Sequence, residues 1–188
     1  EVLDTNGDVG PGVYMQGVNT SIGIFDKTTG AQITAFTFAT FWSLVLPTTG
    51  TPCDANNRGD IIVLYDPLQD RWLFMDFAFA VSGSTRAAPY YFCFAVSKTS
   101  DPVSGGWWTY AYLAQNAATD LPDYPKGGVW TDGFYFSANM FNAANAFTGV
   151  RLYGFDRIAM ESGAFRSATA NLSTTYFTVL PGNLRGAL

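Results

Sequence analysis

Asp60 and Asp123 are the residues whose type and setting come nearest to recognisable chemistry. Each opens a matching stretch: an apolar run, a polar turn, and an aromatic residue 12 positions after the acid, Trp72 in one copy and Tyr135 in the other. Two carboxylates brought to facing positions can serve as acid and base, or as acid and nucleophile, on a glycosidic bond. Glu, the common general acid of such sites, occurs here only as Glu1 and Glu161. The competing role is structural, with both Asp side chains accepting hydrogen bonds from backbone N–H groups in turns. The chain has no histidine. That removes Ser-His-Asp and Cys-His mechanisms, and with them the commonest zinc and copper ligand.

Other candidates are weaker in type or spacing. Asp4-Thr5-Asn6-Gly7-Asp8 matches the opening of a calcium loop, but Val9 stands where the loop needs Gly and Met15 where it needs a bidentate Glu. An EF-hand is thereby excluded, and Asp4, Asn6 and Asp8 are left as a looser oxygen-rich site for Ca2+. Trp108, Tyr110 and Tyr112 alternate along one run, so a strand would place all three on one face. Such a face can stack a sugar, giving a glycan as a partner, or it can pack a core. Asn19-Thr20-Ser21 and Asn171-Leu172-Ser173 are glycosylation sequons. Arg58-Gly59-Asp60 spells an adhesion tripeptide, a match short enough to arise by chance. Cys53 and Cys93 lack metal-knuckle spacing. They form either one disulfide or two buried thiols, and low charge with many Thr, Ser and Asn favours the disulfide of a secreted protein.

The elements that must position these residues are strands. Charged residues make up only 13% of the chain and aromatics 16%, which excludes disorder and favours a tightly packed β-rich body. At 188 residues the chain is one domain in size. Ile61 to Tyr65 and Trp72 to Val81, joined by Asp66-Pro67-Leu68-Gln69-Asp70-Arg71, read as an antiparallel hairpin. The second copy, 63 residues on, makes an internal repeat. Residues 1–12 read as turns, Phe41 to Leu46 as an apolar run, Asp156 to Gly163 as one helical turn and Thr175 to Leu180 as a last strand. Helix is expected below about 10% of the chain. Four short strands per repeated unit point to a β-propeller of four-stranded blades, approximately 1–50, 51–115 and 116–188, with a β-sandwich as the alternative all-β fold.

Four stretches carry a resemblance to a known group. Asp4 to Gly30, Gly59 to Trp72, Ala95 to Tyr110 and Asp123 to Phe141 together resemble a family of secreted prokaryotic β-propeller proteins of mostly uncharacterised function. The resemblance covers nearly the whole chain and implies a propeller fold. Gly59-Asp60-Ile61 stands where the family usually has Gly-Asp-Pro, and Gly12-Val13 where Asn-His is common. Members are typically longer, in keeping with the three blades here, which do not close a ring.

The function expected is therefore that of an extracellular, non-catalytic propeller, an interaction or structural module of a cell-surface or secreted assembly. A carbohydrate-active propeller using Asp60 and Asp123 is the alternative. Partners are further blades of the same polypeptide or other subunits, because uncovered blade faces expose apolar surface that a monomer rarely tolerates. A net charge of −5 argues against nucleic acid, and no apolar run is long enough to span a bilayer. The chain opens on Glu1 without an initiator Met and reads as a mature or trimmed product.

Overall fold

The computed structural model describes residues 5–83 and 85–186. Three four-stranded antiparallel sheets make up the chain, with 52% strand and 8% helix, under the expected tenth. The first sheet holds β1 (Thr5–Val9), β2 (Val13–Val18), β3 (Ser21–Asp26) and β4 (Gln32–Thr37). The second holds β5 (Ile62–Asp66), β6 (Arg71–Ser82), β7 (Thr85–Ser97) and β8 (Trp107–Leu113). The third holds β9 (Leu121–Val129), β10 (Gly133–Phe141), β11 (Phe147–Asp156) and β12 (Ser167–Leu172). In each sheet the order in space is the order in sequence, because each strand pairs with the next one through a turn, a short loop or a short helical link. Asp26 shows why one such turn holds. Its Oδ1 accepts from the backbone N–H of Thr28 and Thr29 at 2.9 and 2.7 Å, and Gly30 follows at φ 73°.

Two local expectations are corrected, and one apolar run left without an element receives one. Residues 5–9 form β1 rather than a turn. The apolar run from Phe41 begins inside a helix, α1 (Phe38–Ser43), whose N-cap Thr37 accepts from Thr40 N and whose buried residues are Phe38 and Trp42. Residues 175–180 are not a strand, and the fourth strand of the third sheet is instead the small-residue run Ser167–Leu172. The helical turn after Asp156 is present as α2 (Arg157–Glu161), with Asp156 accepting from Ala159 N at 2.9 Å.

The sheets lie face on face in chain order. Met15, Ile22 and Ile24 of the first sheet share a core with Val63, Trp72 and Phe74 of the second. The other face of the second sheet, Leu73, Met75, Phe94 and Val96, packs on Phe134, Phe136, Tyr153 and Phe155 of the third. Both a sandwich-like and a propeller-like layout accommodate this stacking. Cys53, in a 3-10 turn at Pro52–Asp54, is bonded to Cys93 of β7 with S–S 1.98 Å. The expected disulfide therefore ties the connection between the first two sheets to the middle of the second.

Turn lengths correct the spacing of the repeat. Pro11-Gly12 and Thr131-Asp132 are two-residue turns closed by Gly10 N to Val13 O and Trp130 N to Gly133 O, whereas Asp66 and Arg71 pair across four residues. Asp66 therefore corresponds to Trp130, 64 residues on, and Arg71 to Gly133, 62 on. An offset of 63 splits that difference and slips each strand by one, which turns side chains to the wrong face. Trp72 faces the first sheet, while Tyr135 lines a hollow on the far side of the third.

Candidate functional site

The first strands of the sheets lie side by side, β1 against β5 and β5 against β9, and the seam between them gathers Asn6, Asp8 and Asp60. Asn6 and Asp8 point from β1 into the second sheet. Asn6 Oδ1 accepts from Val63 N at 2.7 Å and Asp8 Oδ2 from Tyr65 N at 2.7 Å, while Asp8 Oδ1 accepts from Val9 N at 2.8 Å. Arg185 pairs with Asp8 from the C-terminal segment. The oxygens considered for Ca2+ are thus engaged as acceptors for a neighbouring strand, and Asp4 lies outside the described residues. No group of three or more His, Cys, Asp or Glu is gathered among the described residues. Replacing Asp8 with Ala leaves the buried Tyr65 N–H without its acceptor, and a loss of about 1–3 kcal/mol in urea denaturation is the expected outcome. A change under about 0.5 kcal/mol would show the link to be dispensable.

Asp60 has φ 52° and lines a small polar recess with Thr5, Asn6, Tyr124 and Lys126, about 50 Å³ in volume. At roughly 10–15 Å³ of such space per water, the recess has room for a few waters. Lys126 Nζ sits 3.4 Å from the centre of the Tyr124 ring. Asp123 is outside the lining of the recess and accepts from Tyr124 N at 2.9 Å. A roomier cleft of about 650 Å³, with Arg86, Tyr90, Asn142 and Asn145 on its walls, has no carboxylate in its lining.

Trp108, Tyr110 and Tyr112 do share one face of β8. Tyr110 donates to Met160 O at 2.7 Å, Tyr110 and Tyr112 pack on Phe165 at 5.2 and 5.7 Å between ring centres, and Lys98 covers Trp108 at 4.2 Å. Asn19 occupies the two-residue turn between β2 and β3 at φ 51°, its carbonyl against Gly59. Asn171 is exposed on β12 and accepts from Arg151 Nη1 at 2.9 Å. Arg58 of the adhesion tripeptide is tied down, its Nε donating to Phe79 O at 3.0 Å.

The most perturbed ionisable groups were not among the candidates. Asp76, in the middle of β6, is fully buried and accepts from Trp42 Nε1 at 3.1 Å and Asn57 Nδ2 at 2.7 Å. Burial pushes its carboxyl up to about 7 against the pull of those two donors. A second cluster joins the second sheet to α2. Arg157 Nη1 lies 2.6 Å from Asp66 Oδ2 and 3.3 Å from Glu161 Oε2, and its Nη2 donates to Thr131 O at 3.0 Å. Burial, then a hydrogen bond and repulsion from Asp66, raise Glu161 to about 8 despite the attraction of Arg157. An acid inside the apolar run Trp72 to Val81 was a usable signal for Asp76. Nothing local marks Arg157, whose acid partner Asp66 is 91 residues away. Asp76 has no access to a ligand, so its titration can act on stability alone.

Comparison with protein-family models, with curated proteins and with solved structures returned no significant match.

Proposed function

We propose that the chain is three consecutive blades of an extracellular, non-catalytic β-propeller that serves as an interaction or structural module of a cell-surface or secreted assembly. The observation that carries this is the turning of equivalent faces. Corresponding positions Met15, Leu73 and Tyr135 point onward in each sheet: Met15 to the second sheet, Leu73 to the third, Tyr135 to the open side. A constant onward face with the first strands together is what rotation about an axis gives, whereas two-layer sandwiches face like against like. The disulfide supports an oxidising compartment. No helix is long and apolar enough to cross a membrane.

The non-catalytic part rests on the seam, where Asp60 lines a small recess that Asp123 does not share, Asp123 being turned to its own backbone. Reducing-sugar release from a panel of polysaccharides tests it. No release above buffer is expected from the wild-type chain. Turnover that disappears in Asp60→Asn and Asp123→Asn would establish the carbohydrate-active alternative.

A further inference from the structure

We infer that Thr178–Leu184 is the innermost strand of a fourth sheet, and that the apolar hollow beside it is the seat for three outer strands carried by the same polypeptide. This rests on the propeller arrangement proposed above and goes beyond it by naming the seat and its occupant. Three non-glycine residues with nearly equal positive φ mark corresponding places: Asp60 at 52°, Tyr124 at 53° and Thr178 at 56°. Asp60 lies just before β5 and Tyr124 inside β9, opposite the register shift of β10, and the spacing between them is the same 64 residues that relates Asp66 to Trp130.

The contacts after Thr178 repeat those after Asp60 and Tyr124. Ile61 lies on Gly17 of the first sheet, and Val179 O accepts from Ser137 at the corresponding place on the third. Asn6 meets Val63, and Ile62 meets Gly127. Asp8 meets Tyr65, and Gly128 lies against the Gly182–Asn183 peptide. Segment 178–184 thus rests on the third sheet as Asp60–Asp66 rests on the first. Its polar ends are fixed, with Thr178 N donating to Asn139 Oδ1 at 3.0 Å and Leu184 N to Val129 O at 2.8 Å. Among the described residues it belongs to no sheet.

Beside it the third sheet is uncovered. Leu73, Met75, Phe94 and Val96 of the second sheet are buried by the next sheet. Their counterparts Tyr135, Ser137, Leu152 and Gly154, by strand pairing, face outward, and Tyr135, Leu152 and Gly154 line a hollow of about 460 Å³ with Ala168, Ala170 and Pro181. The small side chains leave room for large ones from an incoming sheet. In all three sheets the chain order runs from the first strand outward, so strands that follow 184 in the same polypeptide are the occupants. A second copy fits poorly, because its first sheet brings its own β1 to a place already filled.

The test uses the thiol of Leu152→Cys, since Cys53 and Cys93 are bonded and no other cysteine exists. Maleimide labelling is compared between the 188-residue chain and the natural polypeptide continued past Leu188, with Ser100→Cys in an exposed turn as the control. Labelling at position 152 is expected to slow at least tenfold in the longer polypeptide, with position 100 unchanged. Equal rates at 152, a natural polypeptide that stops at Leu188, or protection in the shorter chain through dimers seen by light scattering would each overturn the inference. Equal rates alongside a solved structure with an added four-stranded blade elsewhere would sink the seat and leave the propeller standing. A solved closed sandwich would remove both.

Discussion

Replacing Arg157 with Met is expected to cost about 3–5 kcal/mol of stability at neutral pH, the usual result of removing one partner from a buried ion pair. Asp66 and Arg157 are both shielded from water, with side chains 1% and 5% exposed. Without the guanidinium, the Asp66 carboxylate keeps the Leu68 N–H on Oδ1 at 2.8 Å and the hydrogen bond with Glu161, which repels it when ionised. The methionine retains the volume, so the loss reports charge rather than a cavity. Urea denaturation of the single variant and of Asp66→Asn with Arg157→Met checks this. The double variant should recover part of the loss, because it no longer buries a lone charge. A single-variant cost below about 1 kcal/mol would show the pair to be no stronger than a surface one.

Raising the pH from 4 to 9 should remove on the order of 4 kcal/mol through Asp76 alone. Its folded carboxyl is raised from 3.8 to about 7. A raised acid contributes fully below its unfolded value, and the contribution is lost as pH climbs through the folded one, at about 1.4 kcal/mol per unit. The window is therefore about pH 4 to 8. Asp76→Asn should remove its own share of this slope and be the more stable form at pH 8.5. Glu161, raised to about 8, leaves a slope of the same sign and comparable size. Thermal unfolding at a series of pH values reads both, and identical slopes in wild type and variant would refute the assignment.

The hairpin at Asp66–Arg71 and the disulfide were legible because their signals are local: turn residues between β-rich runs, and two cysteines with no other use. β1 was not legible, since Thr5-Asn6-Gly7-Asp8-Val9 has the composition of a turn. Its polar side chains are satisfied by Val63 N and Tyr65 N, 57 residues away, which no local pattern records. The last strand, expected at residues 175–180, was misplaced for a related reason. Tyr176, Phe177 and Val179 have strand propensity, but strand pairing went to Ser167–Leu172, the small-residue run that reaches the edge of β11. The seam was half legible: Asp60 does lie there, while Asp76 and the Arg157 cluster owe their character to burial that only tertiary structure creates.

The sequential order of the sheets also bears on how the protein comes off the ribosome. Each sheet pairs only neighbouring strands, so it can complete itself as soon as its own residues have emerged. Its onward face, however, is covered only by residues made afterwards. At about 5–20 residues per second, that face waits on the order of seconds for its cover. Leu73, Met75, Phe94 and Val96 would spend that interval in water, and a holdase or a slowed codon run would be of most use during the synthesis of β9 and β10.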